Sequence, residues 1–359
     1  MKKALVLLFT IALVAIFTAC NSSSNTGSSS TEEPNKETKS ETQEKDTLTI
    51  AWLPNESGSD VKGAREEIGA AIEKATGKKV EHQTTTDYLI AIETIANGNA
   101  DLAFLGAQGY IEANNKNNNV QPLVVPSGAS GTLDDAVYYS WLAVKKDNED
   151  QYMDGSNYSI DNIAGKRFSF VSNSSTSGFK VPSNGIVSHF SEMDEYKDLT
   201  AEDLLEGGSN LFFSEVLYGG SHQGSAVNLL TDKVDVAAFC NACVNNYVEL
   251  VSGEENRPGA VYKVSDDAAE PFNTLIGEEF VLISVTPVLN APFVVNQDNV
   301  SADVIDQIIT AFTSDEVTNN TKIFVPKDSD GKGLFSKGAD ERFVEVEDAW
   351  FNPIRELSK

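Results

Sequence analysis

Ser175-Thr176-Ser177-Gly178 places three consecutive hydroxyls and a glycine between a β-type run, Lys166 to Val171, and a helix opening near Phe179. A strand-to-helix loop of this kind points backbone N–H groups and hydroxyls at one spot. The first N–H groups of a helix have no internal partners, and the helix dipole makes that end partly positive. Such a cluster suits a tetrahedral oxyanion. The same residue types also serve as simple helix caps, and the loop alone does not choose between the two roles.

Two further groups have chemical potential. His222 is one of three histidines and sits in the polar run Gly219-Gly220-Ser221-His222-Gln223-Gly224, just before a helix. A neutral imidazole donates one N–H and an imidazolium two, so His222 is a candidate donor whose preference would turn toward dianions at lower pH. Cys240 and Cys243 form a Cys-x-x-Cys pair. Their chemistry is open between a disulfide, buried thiols, a redox pair and a zinc site shared with His222.

These residues need a scaffold, and the chain alternates strand and helix patterns. Strands are expected at 48–53, 80–84, 102–105, 120–125, 138–144, 167–172, around 211–216, at 234–239 and at 280–287. Helices are expected over 61–76, from Asp87 to Gly98, from about 178, from about 225 and over 302–312. This order predicts α/β layers with a mostly parallel sheet, twice over. An internal echo supports two halves: Ala100-Asp101-Leu102-Ala103-Phe104 matches Val234-Asp235-Val236-Ala237-Ala238-Phe239. Matching Asp101 to Asp235 puts Gly106-Ala107-Gln108 and Cys240-Asn241 at equivalent strand ends, where open α/β sheets bind ligands. Gln108 and Asn241 are therefore candidate cleft residues. Strands at 138–144 and 280–287 would carry the chain between the halves.

The ends and the charge bound the setting. Lys2 and Lys3 precede an apolar run from Ala4 to Ala19, followed by Cys20. This pattern predicts residues 1–20 as a lipoprotein signal with Cys20 acylated, since 16 apolar residues are short for a membrane span. Residues 21–45 have no aliphatic or aromatic side chain beyond polar stems and read as a disordered tether spanning about 28 Å. Losing Lys2 and Lys3 takes the net charge from −27 to −29. A surface so acidic argues against nucleic-acid partners and requires any anion to be held by local geometry.

The chain resembles the solute-binding lipoproteins of phosphate/phosphite/phosphonate ABC transporters, the PhnD-like group. The resemblance is carried in order by Thr86-Asp87-Tyr88, Ala100 to Gly106, Tyr138-Tyr139-Ser140, Ser175 to Pro182, Gly220-Ser221-His222, Val234 to Phe239 and Asn290 to Val295. It implies a type II periplasmic-binding-protein fold: two mixed-sheet lobes joined by two hinge strands, with a ligand cleft between them. The lobes would comprise 46–140 with 284–359, and 141–283. It also implies that Ser175, Thr176 and Ser177 hold the phosphonyl oxygens, with Tyr88 and His222 donating from opposite sides and Tyr139 at the cleft wall. Relatives that bind aminoalkyl phosphonates carry an acid just after the last Asp-x-Ala strand; here that stretch reads Cys240-Asn241-Ala242-Cys243. A smaller guest or one with an uncharged tail is therefore expected.

The implied function is capture of a small phosphorus oxyanion outside the membrane and delivery to an ABC permease, by a lipid-anchored monomer that needs no cofactor or metal. Delivery of the signal to a receptor kinase is an alternative. A phosphatase-like hydrolase is a further one, disfavoured because no nucleophile–base pair or metal cluster accompanies the hydroxyl loop.

Overall fold

The structure, a computed structural model, describes residues 45–329 and 331–357. The leader, Cys20 and the tether up to residue 44 lie outside the described residues. No helix among the described residues is long and apolar enough to cross a membrane.

The chain opens with β1 (Thr47–Trp52), α1 (Lys62–Thr76), β2 (Lys79–Thr84), α2 (Tyr88–Ala96), β3 (Leu102–Phe104), α3 (Ala107–Lys116) and β4 (Val120–Pro126). Helix α1 buries Ala64, Ile68 and Ile72, one per turn on a single face, and ends where Gly77 takes a left-handed φ of 69°. Asp87 caps α2, accepting from the Leu89 N–H at 2.7 Å.

After β5 (Val137–Lys145) come a short hairpin, β6 (Met153–Asp154) and β7 (Asn157–Tyr158), then β8 (Arg167–Phe170), α4 (Val181–Phe190), β9 (Glu215–Tyr218), α5 (His222–Leu230) and β10 (Val236–Cys240). Next are α6 (Asn241–Val244), β11 (Val248–Ser252), β12 (Val261–Val264), β13 (Glu279–Leu289) and β14 (Phe293–Asn296). The chain closes with α7 (Ala302–Phe312), α8 (Asp315–Thr318), β15 (Phe324–Pro326), β16 (Phe335–Lys337), β17 (Phe343–Glu345) and α9 (Asn352–Glu356). Two expected boundaries move: the strand near 211–216 forms later, as β9, and α5 starts at His222 because Ser221 caps it.

The strands form two main sheets, ordered β17-β4-β14-β3-β1-β2 and β11-β12-β13-β5-β10-β8-β9. Both are mixed rather than mostly parallel. Each has a three-stranded parallel block, β2-β1-β3 or β9-β8-β10. Beside each block runs an antiparallel strand reached by a long excursion, β14 against β3 and β5 against β10. Strands that return this way need no helical crossover, so they are free to pair antiparallel.

The internal echo has a structural counterpart. Asp101 Oδ2 accepts from the Thr49 N–H at 2.8 Å, and Asp235 Oδ2 accepts from the Arg167 N–H at 2.9 Å. Each aspartate ties the start of its strand to the neighbouring parallel strand, which sets equivalent registers in both sheets.

Strands β5 and β13 pair along their lengths, from Val137 against Leu289 to Lys145 against Phe280, and both belong to the seven-stranded sheet. The chain therefore changes sheets over residues 127–136 and 290–292, outside the strands and away from 140 and 283. Asn290 joins the two crossings: its N–H donates to the Ala136 carbonyl at 3.0 Å, and its Nδ2 to that of Pro126 at 2.7 Å.

Candidate functional site

A cavity of about 110 Å³ lies where the carboxyl ends of the two parallel blocks meet. The first sheet and its connections contribute Asn55, Glu56, Asp60, Tyr88, Gly106 and the segment 333–335. The second contributes Tyr138, Ser175, Thr176, His222, Gln223 and the Cys240–Cys243 pair. No Lys or Arg is among these lining residues.

Ser175 to Ser177 are each no more than 2% exposed. A π-type turn over Thr176–Lys180 leads into α4, and Ser175 caps it by accepting from the Gly178 N–H at 3.1 Å. Gly178 has to be glycine, because a Cβ there would lie 2.3 Å from Val171 Cγ2. Capping and cavity lining thus coexist: Ser175 Oγ accepts from the backbone, and its own proton remains to be donated.

The same arrangement recurs around the cavity. Thr176 Oγ1 accepts from the Gln108 N–H at 2.9 Å, and the Tyr88 hydroxyl accepts from Asn55 Nδ2 at 2.5 Å. His222 is 3% exposed, and its Nδ1 accepts from the Cys240 N–H at 3.0 Å. That bond leaves the neutral ring's proton on Nε2, which lies 3.4 Å from Ser175 Oγ. Burial lowers the His222 pKa to about 3, so this imidazole stays neutral and does not turn toward dianions on mild acidification. Each of these four groups has its acceptor side occupied by a scaffold N–H, which directs its proton elsewhere.

Tyr138 also lines the cavity, near the Ser177 and Thr176 hydroxyls, and burial pushes its phenol up to about 12. Gly106 allows the close approach of this wall, since a Cβ there would stand 2.8 Å from Thr176 Oγ1.

Four of the candidate residues, Gln108, Tyr139, Ser177 and Asn241, do not line the cavity. Adjacent strand residues face opposite ways, and Tyr139 packs instead with the apolar cluster around Trp141 and Phe239. Gln108 serves through its backbone N–H, while its Nε2 donates to Glu112 at 2.9 Å. Asn241 Oδ1 accepts from the Tyr139 N–H at 2.8 Å and so fixes β5. Ser177 has a buried hydroxyl without a hydrogen-bond partner, and its carbonyl accepts from Ser140 Oγ at 2.6 Å.

Cys240 and Cys243 are joined as a disulfide, with Cα atoms 5.4 Å apart. They and His222 bring their potential ligand atoms within 4.8 Å of one another, but the bonded sulfurs offer no thiolate to zinc.

The sequence pattern did not mark Asn55, Glu56, Asp60 or Tyr138. Asn55 and Glu56 follow the carboxyl end of β1, the same kind of position that singled out the loops after β3 and β10. Asn55 also bridges the sheets, accepting from the His222 N–H at 3.0 Å and, through its carbonyl, from Gln223 Nε2 at 3.2 Å. Asp60 Oδ2 accepts from Asn246 at 3.0 Å and Tyr247 at 2.9 Å. The lack of an acid at 240–243 therefore describes one wall only, because Glu56 and Asp60 stand on the other.

Two α/β halves closing over inward-facing donors make a bilobal solute receptor, and comparison with known proteins agrees. Residues 50–351 match the family described as the ABC transporter, phosphonate, periplasmic substrate-binding protein. The chain belongs to this family. It is 26% identical over 318 residues to the phosphate-import protein PhnD of Mycolicibacterium smegmatis, covering 87% of this chain and 85% of that protein. The fold is similar to a binding protein component of an ABC phosphonate transporter from Pseudomonas aeruginosa, with a TM-score of 0.60, 18% identity, and coverage of 87% of this chain and 85% of that one. It is also similar to PhnD1 from Prochlorococcus marinus, solved in complex with methylphosphonate, with a TM-score of 0.58, 16% identity, and coverage of 87% and 97%.

Proposed function

We propose that this chain captures a small phosphorus oxyanion, such as phosphate, phosphite or methylphosphonate, and delivers it to an ABC permease. Cys20 would carry the lipid anchor, the tether would hold the body off the outer face of the membrane, and the receptor would act as a monomer. Ser175, Thr176, Tyr88 and His222 carry this reading, because they gather polar hydrogens at one cavity while N–H groups of the scaffold hold their acceptor sides. Tyr138 adds a further hydroxyl on the same wall. Neutral donors suit an anion inside so acidic a molecule, since each charge-assisted hydrogen bond contributes about 1.5–3 kcal/mol.

Hydrolysis is disfavoured by the same geometry. A serine nucleophile needs a histidine nitrogen free to take its proton, and here Nδ1 is occupied while Nε2 carries the hydrogen. Isothermal titration of guest-free protein with phosphate, phosphite, methylphosphonate and 2-aminoethylphosphonate should find micromolar or tighter binding, about −8 kcal/mol, for at least one of the first three. If none of the four produces heat or a thermal shift, the proposal fails. A phosphate-ester assay should show no turnover.

A further inference from the structure

Glu56 is the one acid on the cavity wall with an orphaned oxygen. It is 8% exposed at the end of the turn Pro54–Glu56, and its Oε2 is buried without a partner. Asp60 differs, because Asn246 and Tyr247 both engage its Oδ2.

The surroundings of Glu56 decide what its carboxyl can do. The neighbouring Asn55 amide donates to the Tyr88 hydroxyl at 2.5 Å. Tyr88 on α2 and Tyr138 on β5 feel its charge, and neither phenol ionises near neutral pH. Arg65 on α1 is the nearby cation, but its Nη1 donates to the Glu56 and Gly58 carbonyls rather than to the carboxyl. Asp60 also acts on that guanidinium through its charge, and His222 on α5 is neutral. No full salt bridge therefore compensates an ionised Glu56, and a dianion in the cavity would add a second like charge.

We propose that Glu56 meets the guest through a shared proton, so that the cavity selects a phosphorus oxyanion together with one proton over the fully ionised pair. The inference deepens the function proposed above and rests on it. The proton has two equivalent descriptions: a carboxylic acid donating to a dianion, or a carboxylate accepting from a monoanion's P–OH. Either way no bond other than O–H changes, and the complex holds one proton that carboxylate and dianion lack. Burial outweighs the nearby Arg65 charge and raises the free carboxyl from 4.5 to about 8, which keeps it protonated at neutral pH. Above that point each complex must take its proton from solvent, and affinity falls about tenfold per pH unit.

The test is calorimetric titration of the guest-free, full-length protein with methylphosphonate from about pH 7 to about pH 10. Pairs of buffers with different ionisation heats count the protons exchanged. The wild type should take up about one proton per complex near pH 9 and lose about tenfold in affinity per unit above pH 8. Glu56→Gln, which keeps a donor but cannot ionise, should bind with a flat profile and no uptake. The proton count on the wild type stands even if the variant folds poorly. Methylphosphonate binding without proton uptake overturns the Glu56 inference and leaves the function intact. So does 2-aminoethylphosphonate binding a hundredfold tighter than methylphosphonate with the advantage erased by Glu56→Gln, since Glu56 would then act as an ionised counter-charge. No binding of any phosphorus oxyanion at any pH overturns the functional reading itself.

Discussion

Replacing Thr176 with valine should weaken oxyanion binding about a hundredfold while leaving the fold nearly as stable. Valine keeps the shape of threonine and removes only the hydroxyl. Two losses follow. The guest forgoes a charge-assisted hydrogen bond, worth about 1.5–3 kcal/mol. The Gln108 N–H loses its acceptor, and that bond runs from one half of the molecule to the other. When the halves part, water satisfies this amide, so its loss penalises the closed complex more than the folded chain. At about 1.4 kcal/mol per tenfold, the first loss alone accounts for tenfold to a hundredfold. Titration calorimetry with methylphosphonate or phosphate, beside a urea unfolding curve, separates the two effects. An unchanged dissociation constant would remove Thr176 from the site.

The second large effect is on stability and concerns Glu56. Its folded-state pKa of about 8 lies above the ordinary 4.5. The folded chain therefore binds more protons than the unfolded one between those values. Stability from this group is complete below about pH 4.5 and is lost as pH rises to about 8. The loss reaches up to about 5 kcal/mol at 1.36 kcal/mol per unit. Glu56→Gln removes that dependence, so the variant should gain on the wild type steadily from about pH 5 to about pH 8 and hold a constant lead beyond. His222 acts with the opposite sign: its pKa falls from 6.5 to about 3, so its contribution is present above 6.5 and is lost on acidification. Chemical denaturation of wild type and Glu56→Gln across this range gives the difference directly. A difference that does not change with pH would show that Glu56 ionises normally.

Much of this architecture can be read in the chain because its signals are local. Gly77 ends α1 at the point where its apolar face stops, and Asp87 caps α2 as its position predicts. The Asp101 and Asp235 echo marks a repeated structural task. The hydroxyl loop was legible because helix starts leave donors unpaired, a rule that requires no tertiary context. Other features depend on contacts that sequence spacing does not encode. Tyr138 and Tyr139 are equally plausible on a strand until the pairing with β13 and β10 decides which one faces the cavity. Asn241 looked like a ligand group and proved to be a brace for β5. Glu56 reads as an ordinary surface acid in a Pro-Asn-Glu turn, and the tertiary fold buries it in the cavity wall. The fixed tautomer of His222 depends on Cys240, 18 residues along the chain.

The absence of lysine and arginine from the cavity wall, in a molecule of net charge −27, bears on kinetics as well as on affinity. A diffusing anion meets an opposing field on approach and finds no cation on the cavity wall to draw it in. At about 0.1 M ionic strength that field is cut off within roughly 10 Å, while the hydrogen bonds inside are shielded from salt. Encounter should therefore quicken as ionic strength rises, with departure nearly unchanged. A receptor built this way gathers its cargo more efficiently in brackish surroundings than in dilute ones.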